Sequence, residues 1–248
     1  MYRKICFLII IALSLINTVS FGQTAYKLDG RIGGQYPIVI ELEEFDEGLF
    51  SGWYAYTSTL RKNGDNVCSW LLINPSYEAP ETQWTIRDCK PDVVETWSDV
   101  RFDGKRLSAR MKNIRGKCYD VVATVTQQAS ADASLTAYYK QHIGEMVCDF
   151  DMFNYLPIRF RLISCMDIGN YFALKNIYQT QGDIQYDKGM FWGSGFMAHQ
   201  CCDPATVWAY DTFSNSFYVW IRKDDRDYWW SESGDIPIKF REIVSERF

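Results

Sequence analysis

The chain has 248 residues, 47% of them hydrophobic and 16% aromatic, with 26 basic and 31 acidic side chains for a net charge of −5. That length suits two small domains or one large β domain, with ample chain for a buried core. The acidic balance repels nucleic acid and anionic membrane overall, so neither is an expected partner unless a local basic patch overrides the average.

At the N-terminus Arg3 and Lys4 precede an apolar run of 12 residues, Ile5 to Ile16, and then small and polar residues up to Gly22. This is the three-part pattern of a secretory signal peptide. The run is too short to cross a bilayer as a helix. Cys6 lies inside the run, which argues against a lipid-anchored N-terminal cysteine. Cleavage after Gly22 leaves 23–248, an exported chain with 24 basic and 31 acidic side chains and no transmembrane span. The expected destination is the periplasm or the extracellular space. There, cysteines pair. Seven remain: Cys68, Cys89, Cys118, Cys148, Cys165, Cys201 and Cys202. An odd count leaves at least one unpaired and allows on the order of a hundred connectivities. A bridge from Cys68 to Cys89 would contribute about 3 kcal/mol by loop closure.

Along the rest of the chain, short apolar/polar alternations separated by turn residues dominate, the signal of strands. Ile38, Ile40 and Leu42 alternate with Val39, Glu41 and Glu43; Leu107, Ala109 and Met111 alternate with Arg106, Ser108, Arg110 and Lys112. Val121–Val125, Val207–Tyr210 and Phe217–Arg222 repeat the pattern. Asn63-Gly64-Asp65, Asp103-Gly104, Asn113–Gly116 and Ser233-Gly234-Asp235 mark turns. A single short helix is expected within Ala129–Tyr139, capped by Ser130 or Asp132. Tyr36-Pro37-Ile38, Leu156-Pro157-Ile158 and Ile236-Pro237-Ile238 each open an alternating run and read as proline-led edge strands. The expected fold is all-β: two small antiparallel domains, sandwich or barrel-like, at 23–130 and 151–248, with a linker or short helix at 131–150.

Gly30-x-Ile32, Tyr36-Pro37-Ile38-x-Ile40-x-Leu42 and Gly52-x-Tyr54-x-Tyr56 together resemble the opening of a largely uncharacterised group of exported β-rich proteins of Gram-negative bacteria. Gln23, directly after the leader, fits the same group. The resemblance implies compartment and architecture and carries no catalytic residues.

Catalytic machinery is sparse. The chain has two histidines, His142 and His199. Gly193-Ser194-Gly195 lacks the spacing of a nucleophile elbow. No P-loop or dinucleotide glycine pattern occurs, so no cofactor is expected. Cys165, Cys201, Cys202 and His199 lack the regular spacing of a structural zinc site. Asp149 and Asp151 would share a face on a strand, an arrangement suited to the two carboxylates of a glycosidase. Asp224, Asp225 and Asp227 crowd a turn in a way calcium favours, but without EF-hand spacing, and no metal site is expected.

Charge and aromatic groups are more prominent. From Arg101 to Lys117 there are seven basic side chains and one acid, Asp103, with Arg106, Arg110 and Lys112 on one strand face. From Glu41 to Glu47 five of seven residues are acidic. Trp208, Tyr210, Tyr218 and Trp220 would form an aromatic stripe on the face opposite Val207, Ala209, Phe217, Val219 and Ile221, a platform for sugar or protein if exposed. The function these features favour is an exported, non-enzymatic binding protein that recognises a glycan or a protein, with enzyme inhibitors as one subclass. The named ligand-binding residues are Trp208, Tyr210, Tyr218, Trp220, Arg106, Arg110 and Lys112. The alternatives are a carbohydrate hydrolase using Asp149 and Asp151, and a structural component of a cell-surface assembly.

Overall fold

A computed structural model describes residues 24–46, 49–75, 83–90, 92–199 and 203–248. The leader, Cys6, Gln23, Cys201 and Cys202 lie outside the described residues. Strands β1 (Thr24–Ile32), β2 (Tyr36–Asp46), β3 (Leu49–Tyr56), β4 (Leu71–Pro75), β5 (Trp84–Arg87), β6 (Val93–Phe102), β7 (Arg106–Asn113) and β8 (Cys118–Ser130) run antiparallel in sequence order. β8 closes back on β1 to complete a barrel. The alternating pattern is what closes it. Leu28, Ile38, Ile40, Tyr54, Ile73, Trp84, Ile86, Trp97, Leu107, Met111 and Val121 point inward and are almost wholly buried. Register shifts in β1–β8, β2–β3, β5–β6 and β6–β7 supply local twist that curls the sheet. A short helix, α1 (Thr57–Asn63), joins β3 to β4.

Beyond the barrel come α2 (Thr136–Gln141), two single 3₁₀ turns, α3 (Leu156–Met166) and α4 (Ile168–Ile177). A second sheet follows, ordered β10 (Gln185–Asp187), β11 (Met190–Phe196), β12 (Ala205–Asp211), β13 (Ser216–Lys223) and β14 (Arg226–Ser231). A two-residue strand, β9 (Thr180–Gln181), also pairs with β11, and α5 (Ile238–Arg247) ends the chain. Phe191, Trp208, Tyr210, Phe217 and Val219 face α2, α3 and α4. Trp192, Val207, Ala209, Tyr218 and Trp220 face Phe240, Ile243 and Val244 of α5. The sheet is thus covered by helices on both sides.

The expectation of an all-β chain of two small antiparallel domains with one short helix at most is corrected: the described residues carry five α-helices. Leu156–Leu162 and Ile236–Arg241 are the segments misassigned. Pro157 sits in the first turn of α3 and Pro237 caps α5, positions where a missing N–H costs nothing. α3 is buried almost all round between the barrel and the second sheet, with Ser164 alone exposed, so it has no polar stripe to reveal a 3.6-residue period. Ile158, Phe160 and Leu162 alternate with Arg159 and Arg161, and even those two arginines are buried. The helix expected within Ala129–Tyr139 starts later, because β8 continues to Ser130 and α2 begins at Thr136.

The arginines of α3 fasten the two halves. Arg159 Nε donates to Glu41 on the outer wall of β2 at 2.8 Å, and its Nη1 donates to Asp65 at 3.1 Å. Trp53 Nε1 donates to the same Glu41 oxygen at 2.7 Å. Lys175 of α4 also reaches Asp65, at 2.9 Å. Burial pushes the Asp65 carboxyl up, but the Arg159 charge and the bonds from Lys175 and Trp70 outweigh it and hold it below the usual carboxylate range. Arg161 turns the other way. It makes a two-pronged contact with Glu232 at 3.0 and 2.7 Å and bonds Asn215 in the β12–β13 turn.

Candidate functional site

At one end of the second sheet the β11–β12 connection and the β13–β14 turn lie side by side. The first begins Met197-Ala198-His199 and ends Asp203-Pro204, which carries a cis peptide bond. Gln200, Cys201 and Cys202, between them, are outside the described residues. The base of the connection is pinned. Met197 N–H donates to the Pro204 carbonyl at 3.2 Å, and Ala198 N–H to Gln179 Oε1 at 3.4 Å. The Asp203 carboxylate accepts from the amides of Asp224 and Asp225 at 3.1 and 2.9 Å, tying the connection to the neighbouring turn. Both turn residues hold positive φ, a backbone that Asp tolerates better than most residues. His199 is exposed, also at positive φ, and Arg222 pairs with Asp227 beside the turn at 2.9 Å. The result is a braced, polar sheet end carrying an exposed imidazole.

The residues singled out from sequence are placed as follows. Trp208, Tyr210, Tyr218 and Trp220 are each 2% exposed or less. They do not form one stripe. The β12–β13 register pairs Trp208 with Val219 and Ala209 with Tyr218, so Trp208 and Tyr210 share a face with Phe217, while Tyr218 and Trp220 lie on the other face. Helices cover both faces. Trp208 Nε1 donates to Tyr178 Oη at 3.2 Å, and Tyr210 Oη donates to Asn215 Oδ1 at 2.7 Å, so these polar atoms are used inside the core. Arg106, Arg110 and Lys112 are exposed together on the outer wall of β7.

Asp149 and Asp151 sit at two 3₁₀ turns, not on a strand. Asp149 caps the Met146 amide at 3.3 Å, and Asp151 takes both 2.9 Å bonds from Asn154 Nδ2. Gly193 and Gly195 flank Ser194 for packing reasons: a Cβ at either would come within 2.6 Å of Tyr178. Among the described residues no group of three or more His, Cys, Asp or Glu is placed to hold a metal ion. Cys68, Cys89, Cys118 and Cys148 are exposed, and burial pushes the half-covered Cys165 thiol up to about 12. Of the acidic stretch from Glu41 to Glu47, Glu41 and Glu43 are buried against α3, and Glu47 is outside the described residues.

Two clusters went unmarked in the sequence. Inside the barrel the Glu95 carboxylate accepts from Tyr54, from Tyr56 at 3.0 Å and from Trp97 Nε1 at 3.2 Å. Burial, then the Glu95 charge, pushes both tyrosine hydroxyls up. In the connecting segment Tyr138 stacks on Tyr155 at 4.5 Å and His142 on Phe150 at 3.9 Å. The tyrosine spacing on β3 carried a signal for the first. Nothing in the primary sequence brings the four rings of the second together.

Residues 161–246 match the model of a family described as inhibitor of vertebrate lysozyme. No curated protein and no solved structure matches the chain. The matched span takes in most of α3, all of α4, the whole second sheet and most of α5, and it leaves the barrel out. Inhibitors act by binding and do no chemistry, so the reading as a non-enzymatic binding protein of inhibitor type holds, and the hydrolase alternative falls.

Proposed function

We propose that the chain is an exported inhibitor that binds a lysozyme of the vertebrate type and occludes its substrate cleft with the braced end of the second sheet. The observation that carries this reading is the family match over 161–246, which coincides with the second sheet and the helices packed on both its faces and not with scattered segments. The bracing supports it. A loop fixed at its base before binding loses less conformational freedom on association. A glycosidase cleft of this kind carries two carboxyl groups. His199 offers a hydrogen-bond donor suited to them, on a segment whose Asp203 carboxylate is already taken up by the backbone amides of Asp224 and Asp225.

The test is inhibition of a vertebrate lysozyme acting on bacterial cell wall by the chain without its leader. Stoichiometric inhibition is expected. His199→Ala should weaken it at least about tenfold, the loss of roughly one good polar contact. Asp203→Ala, which removes the bonds to the Asp224 and Asp225 amides, should weaken it mainly through faster dissociation. Native protein that leaves lysozyme fully active at high excess would overturn the reading. An unaltered inhibition constant for His199→Ala would remove that side chain from the contact.

A further inference from the structure

The barrel lies outside the matched span, yet its charge is arranged. We propose that the outer wall along β7 is a binding track for a linear anionic polysaccharide, with Arg106, Arg110 and Lys112 as its central contacts. These three side chains are exposed on the same face of one strand. Eight residues of strand extend about 26 Å, and residues two apart are about 6.6 Å apart, so the cations form a line and not a spot.

Elsewhere, Arg159, Arg161, Lys175, Arg222 and Lys239 pair with carboxylates, the first two of them inside the core. Among the described residues none of the seven basic side chains from Arg101 to Lys117 does so, although Asp120 sits opposite Arg110 in the register. The single acid of the run is turned away to another task. Asp103 Oδ1 accepts from the amides of Lys105 and Arg106 at 2.9 and 2.7 Å, which locks the β6–β7 turn. Asn113 locks the β7–β8 turn the same way, accepting from Arg115 and Lys117 at 3.0 Å each. Both ends of the track are therefore fixed with their cations outward.

Two plainer explanations fail on the fold. Charges on a strand often keep a sheet edge from pairing, but a closed barrel has no edge. Nor do the cations answer the acids of β2, because Glu41 and Glu43 are taken up by Arg159 and Ser164 of α3, and β2 stands three strands round the wall from β7. A narrow line on a convex wall fits an extended chain of negative charges better than a flat membrane.

The test is titration of the chain without its leader with dextran sulfate of defined length, at about 20 and about 200 mM sodium chloride, where screening differs strongly. Binding at low salt that weakens steeply with added salt is expected. Arg106→Gln/Arg110→Gln/Lys112→Gln should weaken it at least about tenfold while thermal midpoint and lysozyme inhibition stay unchanged. Should the triple variant not fold, Arg110→Gln alone should weaken binding about threefold. Equal binding by the variants, no binding at low salt, or binding to vesicles of anionic phospholipid with none to dextran sulfate would each overturn the proposal. Lysozyme inhibition is read separately, so failure of the track and failure of the inhibitor reading are distinct outcomes.

Discussion

Cys68, in a single 3₁₀ turn before β4, and Cys89, after β5, are both exposed, and the neighbouring Cys68 side chain, ahead of burial, pushes the Cys89 thiol up. Val67 and Cys89 also line one groove of about 220 Å³ with Trp53, Trp70 and Ile168. Among the described residues this is the pair that the fold brings together for oxidation. Mass spectrometry of oxidised protein under non-reducing digestion should recover a Cys68–Cys89 linked peptide. Reduction should lower stability by about 3 kcal/mol in a urea titration, the loop-closure value for some twenty residues. A Cys68→Ser variant that shows the same reduction-dependent loss would place the effect on other thiols. The count of cysteines was legible in the sequence, but the pairing was not, since it depends on how β4 and β5 turn back on one another.

At the scale of elements, β11 shows how a sequence motif acquires meaning from its neighbours. Gly193-Ser194-Gly195 lacks the spacing of a nucleophile elbow and reads as a loop, yet it is a central strand whose glycines make room for the ring of Tyr178 at the end of α4. Gly195→Ala would place a Cβ 2.6 Å from that ring. Overpacking of this kind costs about 1–3 kcal/mol. The expected outcome is a lower urea midpoint with an unchanged slope and intact binding at the sheet end; a midpoint equal to wild type would show that Tyr178 yields freely. The strands themselves were readable from alternation, including β2, β7, β8, β12 and β13. The register between β12 and β13 was not. It is set by the 212–215 turn, and a one-residue difference in register moves every side chain to the opposite face.

For the whole molecule, α3 decides how barrel and second sheet behave as one body. Arg159 reaches back to Glu41 and Asp65 on the barrel side, and Arg161 reaches forward to Glu232 and Asn215. Removing one partner of a buried pair strands the other in a medium that solvates charge poorly, at a cost of about 3–5 kcal/mol. Arg159→Met should therefore destabilise by that amount in urea, and Glu41→Gln/Arg159→Met should recover much of the loss, because no charge is then left unpaired. Equal stability of single and double variants would mean that Asp65 and Lys175 carry the junction without Glu41.

The sequence by itself determined the export leader pattern, the strand-rich character, the barrel's inward and outward faces, the poverty of catalytic groups and the basic run of β7. All of these follow from local composition and a two-residue period, which neighbouring segments cannot erase. Only the tertiary structure decided that Leu156–Met166 is a helix, that the four aromatics of β12 and β13 are core, and that Asp203, Asp224 and Asp225 brace a loop. A helix buried almost all round has no polar face to give its period away, and a face is exposed or covered only once the layers above and below it are in place.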